Sequence, residues 1–451
     1  MREYKNTRNP ILPPDIHIPD GEGHVMPDGR LYIYGSYDEI ENEYCSDRYY
    51  VVSTADMKKW VIHDEAFTAE AVTWIHDGDA PKYPGIDREH PTPFMKKILE
   101  EAAGSNDSQE EGDKTADEEA VFLYAPDCIY KDGRYYLYFC TSDDREGVAV
   151  SECPQGPFTN PVQLPCGGID PAVFIDDDGK AYYYWGQLFS HGIRLNEDMV
   201  SFDPDNIADN LVTEEKHFFH EGSSMRKIND TYYYVYADMQ RGRPTALGYA
   251  TGSSPLGPFE YRGIIIDNDG CDPESWNNHG SIECVNGQWY VFYHRNSRGC
   301  RQYRRLCIEP ITINPDGTID EVKMTSQGPG KPFGPGEKIM GYQACGLKGS
   351  VYIGAEENRG AEYEEKLTHI CHGDEAIFRY VQSEDEFCSI RILASGSGQI
   401  EILMDGHTAG IVKITDGVQL NRDINMAAGE YELVLRFQET EELEIREIVI
   451  N

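Results

Sequence analysis

The clearest pattern in the chain is a polar turn followed by a strand of alternating aromatic residues. Five copies lie between residues 20 and 295: DGRLYIYGS (28–36), DGRYYLYFC (132–140), DGKAYYYWG (178–186), NDTYYYVYA (229–237) and NGQWYVFYH (286–294). Asp-Gly and Asn-Gly reach positive φ at little cost, and the aromatic residues that follow favour strands. Each copy therefore predicts a hairpin of two antiparallel strands.

The spacing of these turns predicts the architecture. Successive turns are separated by 104, 46, 51 and 57 residues, so the period is near fifty and the first interval carries extra sequence. Short strands repeated at such a period are typical of propeller blades. We predict an all-β protein whose residues 1–325 form a five-bladed β-propeller. The extra sequence is predicted to be an insertion at about 77–119, with a short helix at 95–104.

A Gly/Pro-rich stretch, SQGPGKPFGPGEK (326–338), marks the predicted domain boundary. We assign 326–340 to a linker. Beyond it, alternating segments such as QIEILMDGHTAGIVKI (399–414) and EYELVLRFQ (430–438) have no helical period. Residues 341–451 are therefore predicted to form a β-sandwich of the jelly-roll type.

Charge and cysteine usage narrow the classes of partner and compartment. The chain has 40 Lys and Arg against 79 Asp and Glu, a net charge of −39, which repels nucleic acid and anionic membranes. It has no apolar run typical of a membrane span or of a secretory signal. Its twelve cysteines form no CxxC pair and are typical of free thiols. We predict a cytoplasmic location with neither nucleic acid nor membrane as a partner, and the sequence leaves the oligomeric state open.

Five polar residues share one phase of the repeat. The inner strand of each propeller blade lines the central channel, and the positions just before the five turns place Asp20, Asp127, Asp170, Glu221 and His279 toward it. Carboxylates are rarely buried without a partner or a task. Converging carboxylates acquire different pKa values, as glycosidic cleavage by an acid and a base requires. Solvated strand ends in an acid-rich protein are the alternative.

Five ordered segments resemble the successive blades of glycoside hydrolase family 43. They are 9–38, 124–139, 168–186, 219–237 and 278–295, and the resemblance spans roughly residues 8–325. This family is five-bladed and inverting, with an Asp base on the first blade, a pKa-tuning Asp on the third and a Glu acid on the fourth. The resemblance assigns these roles to Asp20, Asp170 and Glu221. Asp15 and Glu22 remain alternatives to Asp20.

The resemblance also implies residues that contact the sugar. The candidates are Trp74, Asp127, Phe189 and Arg304. Arg304 has Arg301 and Arg305 as alternatives. Asp127 is expected to line the axis or support the site, and ordinary packing is the alternative for the two aromatic residues.

A metal is implied at His279, which resembles a histidine that holds calcium directly or through water in this family. A purely structural histidine is the alternative. Calcium prefers oxygen ligands, so most of its ligands here would be water. No organic cofactor is implied.

The function that the resemblance implies is an exo-acting, inverting glycosidase. Its substrates would be terminal α-L-arabinofuranosyl or β-D-xylosyl residues of xylan-derived oligosaccharides. An arabinan-active hydrolase of the same fold and a non-catalytic sugar-binding propeller are the alternatives; the signatures of retaining fructan hydrolases are absent.

The end of the chain resembles a family 6 carbohydrate-binding module, through the Met-Asp-Gly turn and AGEYELVLRF (428–437). All five tryptophans precede this region, so a packing role is as well supported as sugar binding.

Overall fold

The computed structural model describes residues 1–40, 43–77, 79–83, 92–93, 96–97, 121–356, 364–415, 417–421 and 424–451. The predicted insertion at 77–119 and its helix at 95–104 lie largely outside these ranges. Short helices occur at Glu214–His217 (α1) and, as 3₁₀ turns, at Ala69–Ala71, Thr73–His76, Pro204–Asn206 and Gly341–Gln343. No helix within the described ranges is long and apolar enough to cross a membrane.

Five antiparallel sheets form the propeller. Blade one contains β1 (Arg2–Lys5), β2 (Glu22–Val25), β3 (Leu31–Tyr34), β4 (Arg48–Thr54) and β5 (Lys59–Thr68). Blade two contains β6 (Asp127–Lys131), β7 (Arg134–Cys140), β8 (Arg145–Ser151) and β9 (Thr159–Gly167). Blade three contains β10 (Ala172–Ile175), β11 (Ala181–Trp185), β12 (Phe189–Arg194) and β13 (Ala208–Thr213). Blade four contains β14 (Phe219–Ile228), β15 (Thr231–Asp238), β16 (Ala246–Gly252) and β17 (Phe259–Asp267), and blade five β18 (Ser281–Val285), β19 (Gln288–Asn296) and β20 (Arg304–Ile311). The predicted five-bladed propeller is confirmed.

The hairpin turns that the repeat predicted join the two inner strands of every blade. In blade two, Asp132 and Gly133 have φ of 51° and 88°, and in blade five Asn286 and Gly287 have φ of 52° and 84°. Two successive positive φ values define the type I′ turn, whose twist matches that of the flanking strands. The local turn chemistry therefore fixes the register of the strands that line the channel.

The ring closes between the first and last blades. Gly21, just before β2, forms a parallel bridge with Gly280, just before β18. A Cβ on Gly280 would lie 1.9 Å from the carbonyl oxygen of Phe292 in β19, so glycine lets the backbone here pack closely against its own blade. β1 adds a fifth strand outside β5, which the repeat alone did not predict.

A second sheet system follows the propeller. It contains β21 (Lys338–Met340), β22 (Gly346–Lys348), β23 (Tyr352–Glu356), β24 (Glu364–Thr368), β25 (Glu375–Ser383), β26 (Ile390–Met404), β27 (His407–Ile414), β28 (Gly417–Asn421) and β29 (Gly429–Ile450). The long strands β26 and β29 pair along most of their length, with register shifts between Leu393 and Gln399. Such shifts let strands bend from one layer to the next, in agreement with the predicted β-sandwich.

The propeller and the sandwich share one apolar cluster. Val235 and Leu247 of blade four pack there with Ile377, Leu403 and Val434 of the sandwich, all buried. The two units are therefore in extensive contact. The domain limits predicted from the sequence remain predictions, as does the cytoplasmic location; all twelve cysteines are free.

Candidate active site

A pocket of about 240 Å³ lies at the start of the inner strands. Asp20, Asp170, Glu221 and His279 line it together with Arg304. These residues come from blades one, three, four and five, as the shared phase predicted. Asp127, the fifth member of that phase, does not line the pocket.

Two of the three carboxylates stand on left-handed backbone. Asp20 has a φ of 58° and Asp170 a φ of 57°. Aspartate tolerates this region better than most residues, and such conformations concentrate at functional sites. Each aspartate immediately precedes an inner strand, so the sharp turn places its carboxylate at the entrance of the channel.

Glu221 is followed by a glycine that the site requires. Gly222 has a φ of 80°, and a Cβ there would lie 3.0 Å from the His279 ring. The Glu-Gly dipeptide thus lets β14 pass close to the imidazole. This explains in physical terms why Glu221 stands beside a glycine.

Asp20 is held as a carboxylate. Arg304 Nη1 donates to its Oδ1 at 2.9 Å and the Ser36 hydroxyl donates to Oδ2 at 2.7 Å. Burial alone would raise the pKa of Asp20, but the Arg304 guanidinium, then His294 and His279, hold the pKa well below its ordinary value. Asp20 is therefore ionised at any pH near neutrality, as a general base must be.

Arg304 is itself fixed by a second carboxylate. Its Nε and Nη2 donate to the two oxygens of Asp38, each at 2.9 Å, in a bidentate pair. Arg304 and Asp38 are both buried. This paired geometry orients the guanidinium, so the remaining Nη1 points to Asp20.

Asp170 has the opposite electrostatic environment. Burial raises its pKa well above the ordinary value, and the charges of Glu221 and Asp20 raise it further. The nearest imidazole nitrogen, His279 Nδ1, lies 3.7 Å from its Oδ2. Burial and its anionic neighbours therefore favour the protonated form of Asp170.

Glu221 receives hydrogen bonds from two amides. Gln187 Nε2 donates at 2.6 Å and Asn277 Nδ2 at 3.2 Å. Burial alone would raise the pKa of Glu221, but the charge of His220 and these two donors bring it below its ordinary value. A general acid is expected to have a raised pKa, whereas the pKa of Glu221 in the resting site is lowered. Because like charges repel in a buried site, Asp170 and Glu221 favour holding one proton between them over carrying two charges.

The alternatives for the base lie elsewhere. Asp15 forms an ion pair with Arg2 near the surface. Glu22 accepts a hydrogen bond from Arg226 at 2.7 Å and another from Ser224 at 3.0 Å. Neither residue lines the pocket, whereas Asp20 does.

The alternatives for the sugar-contacting arginine are separated in the same way. Arg301 lies over the Trp276 ring, 4.3 Å from its centroid. Arg305 points away from the pocket and pairs with Glu365 of the sandwich. Of the three, Arg304 is the one that lines the pocket.

The other predicted sugar contacts do not line the pocket. Trp74 stacks with Phe139 at 6.1 Å between ring centroids. Phe189 packs in the same small cluster as Trp276. Asp127 joins blades two and three, because its Oδ2 accepts the Val173 N–H at 2.7 Å.

Several pocket residues were not found from the sequence. They are Tyr44, Tyr124, Gln187, His220, Trp276 and Asn277. The motif quoted around blade four contains His220, and its adjacency to Glu221 was the available signal. The others lie on irregular segments or at strand ends, outside the phase of the repeat.

Among the described residues, the group whose geometry could hold a metal ion does not include His279. Glu22, His24 and Asp127 place one ligand atom each within 4.8 Å of one another, whereas His279 belongs to the carboxylate pocket. Burial raises the pKa of Glu22 to about 7 despite Arg226, and its Oε2 is buried without a hydrogen bond. Two carboxylates with an unsatisfied oxygen fit a cation, although Arg226 already neutralises part of their charge. The signal in the sequence was Glu22 and His24 two residues apart on one strand, hence on one face.

A five-bladed propeller whose pocket pairs an ionised aspartate with a proton-sharing Asp and Glu defines a glycoside hydrolase. The family model of "Glycosyl hydrolases family 43" matches residues 100–319. The "Xylosidase/arabinosidase" of Thermoclostridium stercorarium is 30% identical over 388 residues, covering 76% of this chain and 72% of that protein. The chain belongs to glycosyl hydrolase family 43.

Solved structures agree with this assignment. A GH43 beta-xylosidase/alpha-arabinofuranosidase from a compost microbial metagenome, in complex with xylotriose and calcium-free, is 28% identical with a TM-score of 0.53, covering 71% of this chain and 99% of that chain. An arabinoxylan arabinofuranohydrolase from Bacillus subtilis, in complex with cellotetraose, is 23% identical with a TM-score of 0.52, covering 98% of this chain and 97% of that chain. The similarity in fold therefore includes the C-terminal sandwich.

Proposed function

We propose that this protein is an inverting exo-glycosidase that removes terminal α-L-arabinofuranosyl or β-D-xylosyl residues from xylan-derived oligosaccharides. One observation carries the proposal: a single pocket brings together Asp20, whose pKa is held low by Arg304, and the carboxyl pair Asp170 and Glu221, whose burial and mutual repulsion favour a retained proton. A base and an acid at one sugar site are what single-step glycoside hydrolysis needs.

Each residue then has a role in the reaction. Asp20 accepts a proton from the water that attacks the anomeric carbon. Glu221, once protonated within the Asp170–Glu221 pair, delivers that proton to the glycosidic oxygen as the bond from that oxygen to the anomeric carbon breaks. Asp170 supplies the charge balance that lets the pair retain its proton near neutral pH. The products are the released sugar and the remaining oligosaccharide with a free hydroxyl. Asp20 then loses its proton to solvent and the Asp170–Glu221 pair regains one, so the protons balance.

The size of the pocket supports exo action. At about 240 Å³ it is smaller than the ~300–1,000 Å³ typical of pockets for drug-sized ligands, and it suits one terminal sugar. The names of the relatives, which include xylosidase/arabinosidase, support a pentose at that position.

A side-by-side substrate panel tests the proposal. We expect cleavage of an aryl α-L-arabinofuranoside or an aryl β-D-xyloside, and release of a single pentose from branched arabinoxylo-oligosaccharides. NMR of the first-formed product should give the anomeric configuration opposite to that of the substrate. Retained configuration would contradict inversion, and activity on internal arabinan linkages alone would contradict the proposed substrate.

We also propose that calcium binds the group formed by Glu22, His24 and Asp127. These residues lie on the inner strands β2 and β6, so a bound ion would tie blades one and two together. Calcium is expected to raise the thermal unfolding temperature of chelator-treated protein, because a ligand that binds only the folded state stabilises it. Glu22→Gln should remove this response, while Glu215→Gln, on the exposed side of α1, should keep it. An unchanged unfolding temperature with calcium in the native protein would refute the site.

A further inference from the structure

The sandwich holds both ends of the propeller segment that carries Arg304. This segment runs from Arg298 to Arg305 and joins β19 to β20. At its start, the Arg298 N–H donates to the carbonyl of Ile353 in β23 at 2.8 Å. At its end, the Arg305 guanidinium forms an ion pair with Glu365 of β24. β23 and β24 are antiparallel neighbours, so one pair of sandwich strands contacts both ends.

The Arg305–Glu365 pair is buried between the two units. The side chains are 2% and 0% exposed. Arg305 Nη2 also donates to the Leu12 carbonyl at 3.0 Å, and its guanidinium lies 5.3 Å from the ring centroid of Tyr342. A buried ion pair contributes little net stability compared with apolar residues of the same volume. The geometry of this ion pair, by contrast, fixes the path of the backbone at Arg305, the residue next to Arg304.

Two connections lead from Glu365 to Asp20. The first is the backbone of β20, where adjacent residues point to opposite faces: Arg305 reaches the sandwich while Arg304 reaches Asp20. The second passes through His17, whose Nε2 lies 3.8 Å from Glu365. The carbonyl of His17 accepts the N–H of Asp38 at 3.0 Å. Asp38 is the residue that orients Arg304.

We propose that Glu365 is a positioning residue for catalysis, and that the sandwich is thereby an integral part of the active site. Glu365 holds the Arg305 end of the Arg298–Arg305 segment and packs against His17, and the held end aims Arg304 at Asp20. This rests on the proposed role of Asp20 as the base. It assigns the C-terminal unit a role in the chemistry of the propeller that is independent of any sugar binding by the sandwich.

The test compares Glu365→Gln with Glu444→Gln in the full-length protein. Glu444 forms an ion pair with Lys366, the neighbour of Glu365 on β24, at 2.7 Å and within the sandwich, so it is a matched control. Glu365→Gln is expected to lower kcat about tenfold or more with a smaller change in KM, because a small displacement of a catalytic contact costs rate. Glu444→Gln should keep the kcat of the native protein.

The pH profile separates positioning from a merely structural role. Asp20 must be ionised to act, so activity is present above its pKa and is lost as pH falls through it. Since Arg304 holds that pKa low, a looser Arg304 should move the acid limb of kcat/KM upward by about one pH unit in Glu365→Gln. An acid limb unchanged from the native protein, with unchanged kcat, would overturn the inference.

A double variant covers the case in which Glu365→Gln folds poorly. Arg305→Met with Glu365→Leu replaces the buried pair by apolar residues of similar size, which should preserve the unfolding temperature. We expect its kcat to stay low; a stable double variant with native kcat would refute positioning. If Asp20→Asn is inactive while both Glu365 variants behave as native, the proposed function stands and this inference is wrong. If Asp20→Asn is fully active, both are wrong.

Discussion

Asp20→Asn is expected to reduce kcat/KM by about 10³-fold or more on every substrate the native protein cleaves. The amide cannot accept a proton from the attacking water, and general base catalysis contributes about 10²–10⁴-fold. The effect should be independent of the leaving group, because water attack is needed for all of them. Initial rates on aryl glycosides and on oligosaccharides, at equal protein concentration, give the measurement.

Asp15→Asn is the matched control for this variant. It makes the same chemical change five positions earlier, at a residue whose partner is Arg2 near the surface. Native rates are expected, with the unfolding temperature of both variants close to that of the native protein. A large loss of activity in Asp15→Asn with a small loss in Asp20→Asn would show that Asp15, and not Asp20, is the base.

Glu221→Gln is expected to abolish cleavage of an alkyl glycoside or a natural oligosaccharide, by about 10³–10⁴-fold, and to spare an aryl glycoside with a good leaving group. A poor leaving group needs a proton in the transition state, whereas an activated phenolate departs without one. Rates of the variant and the native protein on the two substrate types provide the comparison. Equal losses on both would rule out the acid role.

The pH profile adds a second readout for Glu221. An acid acts when protonated, so activity is present below its pKa and is lost as pH rises through it. In the native protein this basic limb reports the Asp170–Glu221 pair, whose shared proton is held by burial and mutual repulsion. On the activated aryl glycoside, the basic limb should disappear in Glu221→Gln. Glu215→Gln, an exposed neighbour on α1, should retain the native profile on both substrates.

The pKa shifts in the pocket distinguish the environments of Glu221 and Asp170. The amides of Gln187 and Asn277 stabilise the ionised form of Glu221, while burial and the charges of Glu221 and Asp20 favour the protonated form of Asp170. The sequence assigns the role of general acid to Glu221 but does not indicate which of the two carboxyl groups is protonated. Which carboxyl holds the proton depends on groups from blade three and from the segment before β18, which converge only in the folded chain.

The sequence by itself determined the blades and the ring of carboxylates. Turns such as Asp132–Gly133 and the alternating aromatic strands are local signals, because positive φ and side-chain alternation depend on near neighbours. Their repetition set the number of blades. The shared phase of Asp20, Asp170, Glu221 and His279 then followed from geometry, since equivalent positions in a propeller meet at its axis.

Only the tertiary structure decided which further groups act on that ring. Gln187, Asn277 and Asp38 lie outside the repeat; the first two line the pocket, and Asp38 binds Arg304. Glu22, His24 and Asp127 converge because β2 and β6 are adjacent inner strands, which the repeat did not reveal. Glu365 is the most distant case, since it stands 61 positions after Arg304 in another unit. A sequence repeat identifies elements that are alike, whereas contacts between unlike segments depend on how the whole chain packs.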